Sequence, residues 1–299
     1  MIEENASRIK PTGRYLRPNT LADAVRAVAT NGTTLLAGGT DFHPAHVGRP
    51  FPSSIVDVSA VAEMRGIVAN SEGIRIGGAV TWTEIARTPL ARAFRALQHA
   101  AGQVGSLQVQ NRGTIAGNLC NASPAADGVP PLLVLNAEVE LASLRGVRRM
   151  PLAAFLLGNR KTARQPDELV SAVIVPAPEP DATSAFVKLG ARKYLVISIV
   201  MAAALLRKDA TGTIIEARVA VGSASETAQR LSQLERDLAG ASAHTSLSRL
   251  LRSEHFNSLN PIDDVRASAK YRRDAALYLV GTALDQAIGA SSDGAHHEV

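Results

Sequence analysis

The sequence predicts an α+β chain that contains α/β units, and three observations carry this. Helical and strand-like segments alternate from about Thr20 to Pro180. Two stretches rich in glycine and small polar residues, Leu35 to Phe42 and Asn111 to Gly128, follow apolar runs where strands would end. After a proline-rich linker, three strand-like runs precede three helical ones, the order of an α+β module. At 299 residues the chain exceeds the size at which a single core stops growing, so two or three domains are expected. The boundaries fall at 1–57, 58–180 and 181–290, with 291–299 as a frayed tail.

Thr20 is placed as the N-cap of a helix over "LADAVRAVAT", where Leu21, Ala24, Val25 and Val28 share a face and Asn31-Gly32 ends the run. "TTLLAG" reads as a strand entering Gly38-Gly39, and "SIVDVS" as another beyond the proline-rich "HPAHVGRPFPSS". "GIRIGG", "AEVELAS" and "DELVSAVIVP" are strand-like, while "TWTEIARTPLARAFRALQHAAGQV" is helical with a break at Pro89. "PAPEPDAT" (Pro176 to Thr183) is the linker. Beyond it, "SAFVKLG", "LVISIVMAAALL" and "TIIEARVAVGS" have the length and branched content of strands, the last two joined by a turn at "KDATGT". Helices are expected over "SETAQRLSQLERDLAG", "TSLSRLLRSEH" and "DDVRASAKYRRDAALYLVGTALDQAIG".

Composition narrows the function classes. The net charge of +5 comes from scattered residues, the densest cluster being "RGVRRM" at Arg145 to Met150. No basic stripe with interleaved aromatics is visible, so nucleic-acid binding is not expected and the cluster reads as solvated or partner-facing surface. A single cysteine, Cys120, excludes an intramolecular disulfide and a four-thiolate iron–sulfur cluster held by this chain, and points to a reducing compartment. The polar first ten residues carry no apolar leader, and Leu195 to Leu206 is too short to cross a bilayer.

The two glycine-containing stretches carry the chemistry. Adjacent glycines allow backbone conformations closed to other residues, and successive N–H groups then form a nest for phosphate oxygens. "AGGTD" has this character, although Gly-Gly after a strand is also an ordinary tight turn. "TIAGN" repeats the pattern, and Asn121, Ser123 and Asp127 in "NASPAAD" offer hydrogen-bonding groups for ribose, ribityl or ring positions. Two nests suit one long anionic ligand such as a dinucleotide. Neither G-x-G-x-x-G nor G-x-x-x-x-G-K-[ST] is present, so such binding is expected to be of a non-Rossmann kind.

On "LLAGGTDF", "NRGTIAGNLCNASPAAD" and "AFVKLGARKYLVISIVMAA", the sequence resembles the FAD-binding subunit of the molybdenum hydroxylases, the group of xanthine dehydrogenases, aerobic carbon monoxide dehydrogenases and bacterial dehydrogenases of N-heterocycles. The resemblance runs from Arg14 to Gly289. It implies a two-lobed FAD-binding domain of the PCMH/vanillyl-alcohol-oxidase type, followed by a smaller α+β domain with a three- or four-stranded sheet and helices. It also implies that Leu35, Leu36, Ala37, Gly38, Gly39, Thr40, Asp41 and Phe42 wrap the FAD pyrophosphate. Thr114 and Asp127 would contact the cofactor, with Gly117 and Asn118 shaping the turn and Ser123 nearby. Val104 would lie beside the flavin ring, and Val170 and Lys188 near the isoalloxazine, where an ammonium favours the reduced, anionic flavin. Without the resemblance, Lys188 reads as the solvent-facing residue of an alternating strand. Two departures stand out: Ala116 replaces a common glycine, and Tyr194, Leu195 and Val196 occupy a segment where some relatives carry an acidic residue.

The resemblance further implies an electron-transfer subunit in the cytoplasm, with molybdopterin on a large partner and [2Fe–2S] clusters on a small one, assembled as a heterohexamer. FAD would deliver electrons to NAD+, oxygen or a quinone. A stand-alone FAD oxidoreductase and a non-catalytic nucleotide-binding or assembly protein are the alternatives. Asp41, His43 and His46 make a poor metal cluster because Pro44 breaks their spacing. The other histidines read as surface groups, Cys120 as a packed thiol, and Trp82 as core.

Overall fold

A computed structural model describes residues 14–30, 32–52, 54–192 and 195–289. The tail expected over 291–299, Asn31 and Tyr194 lie outside the described residues.

The first unit comprises strand β1 (Arg14–Leu16), helix α1 (Leu21–Val28), strand β2 (Thr34–Leu36), the short helix α2 (Phe42–Ala45) and strand β3 (Ser54–Asp57). The three strands form a parallel sheet in the order β1-β3-β2. Thr20 caps α1 as expected, its hydroxyl accepting from the Asp23 N–H at 3.2 Å. Ala24, Val25 and Val28 are buried, packing with Val56 and Val58.

The second unit contains strands β4 (Ile67–Asn70) and β5 (Gly73–Gly77), then helices α3 (Trp82–Arg87), α4 (Arg95–Ala101), α5 (Leu107–Gln110), α6 (Ile115–Asn121) and α7 (Val129–Val134). Strands β6 (Glu138–Ser143) and β7 (Gly146–Pro151), helix α8 (Leu152–Phe155), the hairpin β8 (Leu156–Gly158) and β9 (Lys161–Thr162), and β10 (Leu169–Pro176) follow. Its main sheet is antiparallel, in the order β4-β5-β10-β6-β7. The helical run breaks near Pro89 as expected, and a Thr81–Glu84 capping box starts α3.

The third unit holds β11 (Thr183–Leu189), β12 (Val200–Lys208), β13 (Ile214–Gly222) and β14 (Gln229–Arg230), then α9 (Ser232–Leu238) and α10 (Ala269–Ala287). Its strands form one antiparallel sheet in that order. One face joins the core of the second unit through Phe186, Met201 and Leu205; the other packs under α9 and α10. Strand β12 is thus buried on both faces, which explains a continuous apolar run in place of alternation.

The architecture is the α+β class expected from the sequence, with local corrections. The run from Leu195 becomes a strand only at Val200, because Leu195 is left-handed and the Ser198 hydroxyl turns to Asp127. "TSLSRLLRSEH" forms two 3₁₀ turns, and α10 starts at Ala269, where Ser268 caps it. His255, expected at the surface, is buried against Asp237 at 3.1 Å. The arginine cluster in and just before β7 is not an unpaired basic patch. Arg145 pairs with Asp167, Arg148 lies 2.6 Å from Glu168, and Arg149 reaches Glu72 at 2.7 Å and Glu140 at 3.2 Å.

The Arg148 hydrogen bonds hold the buried Glu168 carboxyl below its usual range. Burial pushes Glu140 up, but Ser171, Arg75 and Arg149 outweigh it and hold that carboxyl low as well. Depressed carboxyl pKa values contribute stability that is complete above the unfolded value, near pH 4, and is lost as pH falls through the folded value. Melting temperatures should therefore fall as the pH is lowered from about 5 to about 3. Glu168→Gln should cost about 2 kcal/mol at pH 7 and flatten that acid dependence.

Candidate functional site

Strand β2 ends at Leu36, whose side chain is buried, and the chain turns through Ala37 to Asp41 before α2 begins. Gly39 takes a left-handed φ of +76°, and its carbonyl accepts from the His43 N–H at 3.0 Å. Gly38 is pressed against the second stretch: a Cβ there would sit 1.9 Å from the Arg112 carbonyl oxygen and 3.0 Å from the Gly113 Cα. No acceptor among the described residues takes the amide N–H groups of Gly38, Gly39, Thr40 or Asp41. The loop therefore presents successive unengaged donors, the arrangement that binds phosphate oxygens.

The second stretch differs from the expected nest. Residues Ile115–Asn121 are helical, and Thr114 is the N-cap, its hydroxyl oxygen accepting from the Gly117 N–H at 3.1 Å. The Ile115 N–H donates to the Val80 carbonyl at 2.9 Å and the Ala116 N–H to the Gly78 carbonyl at 3.2 Å. The first amides of α6 are thus already engaged, and this side contributes side chains instead. Thr114 keeps its hydroxyl proton to donate. The Asn118 amide oxygen is buried without a partner, and such an atom is costly unless a ligand or water meets it. Ala116 has ordinary helical surroundings, so its Cβ is accommodated.

Between these segments lies a cleft of about 500 Å³, within the range of small-molecule sites. All eight residues from Leu35 to Phe42 line it, together with Val104, Thr114, Gly117, Asn118 and Val170. Three of the expected residues do not. The Ser123 hydroxyl accepts from the Ala125 N–H beside a small recess. Lys188 and Asp127 form a buried ion pair at 2.6 Å, with the Ser198 hydroxyl donating to the other carboxylate oxygen. Burial pushes the Asp127 carboxyl up, against the opposing pull of the Lys188 ammonium and Ser198. Lys188 also donates to the Gln103 carbonyl at 3.2 Å, fixing the neighbour of Val104, and lines a second cleft of about 780 Å³.

Among the lining residues that sequence reasoning missed, Trp82, Cys120 and Arg164 carry chemistry. Trp82 is core and wall at once; its indole backs the cleft, and a Cβ on Gly128 would meet it at 2.3 Å. Cys120 is half-buried in the lining, where desolvation pushes its thiol up to about 11, leaving it protonated at neutral pH. Arg164 is the one cationic side chain among the described lining residues, and its guanidinium already donates to the Gln165 and Glu168 carbonyls. No signal marked these positions, since an isolated tryptophan, cysteine or arginine has many structural uses. Asp41 accepts from Asn121, while the His46 ring stacks on Phe51 and lies tilted against Phe42.

The residues present fit a flavin dinucleotide: unengaged amides suit a diphosphate, and Asn118 and Thr114 offer acceptor and donor groups to sugar or ring. Gly38→Ala should drive the two backbone segments apart, costing about 2–3 kcal/mol and lowering the melting temperature by roughly 5 °C. Titration with FAD, followed by flavin fluorescence, should then show little or no uptake.

Comparison with known proteins agrees. Residues 8–178 match the family model described as the FAD binding domain in molybdopterin dehydrogenase, and residues 185–287 the CO dehydrogenase flavoprotein C-terminal domain. The chain is 33% identical to a putative xanthine dehydrogenase FAD-binding subunit of Escherichia coli over 282 residues, 93% of this chain and 96% of the relative. It is 37% identical to the nicotinate dehydrogenase FAD-subunit of Eubacterium barkeri over 212 residues, covering 69% and 72%. Its structure superposes on a chain of carbon monoxide dehydrogenase from Hydrogenophaga pseudoflava with a TM-score of 0.85 at 26% identity, covering 95% of this chain and 100% of that one. The chain belongs to the family of FAD-binding medium subunits of xanthine dehydrogenase and CO dehydrogenase type, and is an oxidoreductase subunit with FAD as its cofactor.

Proposed function

We propose that this chain is the electron-transfer subunit of a multi-subunit molybdenum hydroxylase, receiving electrons from [2Fe–2S] clusters on a small partner and passing them to NAD+, oxygen or a quinone. The cleft carries this reading: an anion-binding loop and an unpaired buried amide lie where the family's cofactor domain matches. Bound flavin supplies the ability to exchange electrons singly or in pairs, as a relay between clusters and a two-electron acceptor requires. A single cysteine supports the division of labour, because this chain cannot by itself hold a four-thiolate iron–sulfur cluster. Relatives named as a medium subunit of nicotine 6-hydroxylase and a medium chain of carbon monoxide dehydrogenase support a large and a small partner, and the proposed assembly is a dimer of heterotrimers. The cytoplasm is the proposed compartment; no helix among the described residues is long and apolar enough to cross a membrane.

In this reading the 1–57 and 58–180 lobes hold the cofactor and 181–290 closes one side. The Gly38 to Asp41 amides hold the diphosphate, Thr114 and Asn118 orient the remainder, and Val104 and Val170 exclude water. Lys188 lies behind Gln103 with its charge largely balanced by Asp127.

Affinity purification from the native host should bring down two further chains with molybdenum and iron. A yellow protein that turns over an oxidisable substrate by itself would point to the stand-alone oxidoreductase instead. Asp127→Asn leaves the Lys188 ammonium uncompensated, so the midpoint potential of bound FAD should rise by roughly 30 mV, equivalent to about 1.4 kcal/mol for a two-electron couple. Spectroelectrochemical titration of the FAD-loaded chain checks the direction.

A further inference from the structure

We infer that Arg160 is a positioning residue of the cofactor cleft: acting through Asn121, it latches the Gly38 to Asp41 loop onto helix α6 and slows release of the bound dinucleotide. The inference rests on the FAD reading above. Arg160 stands in the two-residue turn of the β8–β9 hairpin, outside the cleft lining. Its guanidinium donates to the Asn121 side-chain oxygen, and the Asn121 amide nitrogen then donates to the Asp41 carboxylate at 3.1 Å. A side-chain amide has two orientations, and only one places N–H toward Asp41. The cation selects that one, because the reverse would aim N–H groups at a guanidinium and set the amide oxygen against a carboxylate. Asp41 and Asn121 both line the cleft, and Asp41 is exposed, so the bridge lies at the solvent rim.

The backbone beneath this chain of contacts is held in conformations that non-glycine residues avoid. Ala122, which ends α6, has φ +45°, and Arg160 has φ +55°. The two are joined directly, the Arg160 N–H donating to the Ala122 carbonyl at 2.9 Å. Paired left-handed residues beside a ligand cleft are the kind of local strain that persists where a geometry is being enforced. From the far side, the Asn159 N–H donates to the Glu226 carboxylate at 3.2 Å, so the hairpin tip is also tied to the third unit. The hairpin tip is therefore anchored from two sides, and Arg160 carries that anchorage to the mouth of the cleft.

The test is the rate at which FAD leaves the full chain, read as the rise in flavin fluorescence after dilution. Arg160→Asn removes the guanidinium while suiting the left-handed turn, so the melting temperature of the FAD-free chain should hold. Release should become about tenfold faster, the size of one hydrogen bond to a charged group. Arg160→Lys should recover part of the loss, and in an Asn121→Ala background Arg160→Asn should add less than about twofold. An unchanged release rate, an equal tenfold effect without Asn121, or a matching fall in FAD-free stability would each overturn the latch. A wild-type chain that takes up no FAD would overturn the cofactor reading, and the latch with it.

Discussion

The cleft depends on one contact between backbones. Gly38 lies so close to Arg112 and Gly113 that no side chain fits between them, and this is what brings two distant segments to opposite walls of one cavity. The second segment is itself fixed from behind. Trp82 donates its N–H to the Gly113 carbonyl, Thr81 and Thr114 form an isolated antiparallel bridge, and the Gly78 and Val80 carbonyls accept the first amides of α6. With that wall immobilised by hydrogen bonds, the small loop of the first unit is positioned by close backbone approach and by the Asn121–Asp41 hydrogen bond.

The electrostatics follow from the same arrangement. A doubly charged diphosphate would ordinarily call for arginine or lysine, yet the lining offers only Arg164, whose donors already serve main-chain carbonyls. In the proposed function main-chain dipoles would take that part, holding an anion without a buried unpaired cation having to exist before it arrives. Near Val104 the same economy of charge recurs, because Lys188 is neutralised by Asp127 within 2.6 Å. Under the proposed function, oriented dipoles and balanced charge would surround the redox group, which suits a relay that moves electrons and leaves proton chemistry on substrate to a partner.

Much of this was legible in the sequence. The apolar periodicity of α1, the break at Pro89 and the linker at Pro176 to Thr183 all correspond to observed boundaries, and the two glycine-containing stretches do meet. What escaped was set by tertiary context. Strands β1 and β4 are too short to show a period, and β7 carries Arg148 and Arg149, which only make sense beside Glu140 of β6, Glu72 in the β4–β5 turn and Glu168 just before β10. The helical start at Ile115 was masked by glycine and asparagine, which favour loops unless a threonine cap and neighbouring carbonyls hold them. The pairing of Lys188 with Asp127 joins residues from different units, and no local pattern announces it. For the same reason the role of Trp82 as both core and wall was out of reach.

The buried pair also binds the architecture together in a way that bears on how such proteins diversify. Lys188 of β11 and Ser198 just before β12 come from the C-terminal unit, whereas Asp127 and Gln103 belong to the unit before it. A chimera that exchanged the C-terminal portion between relatives would strand a carboxylate in a dry interior unless both partners travelled with the graft. Recombination at the linker is therefore restricted to donors that already share this four-residue knot, so the two portions are bound to change hands together.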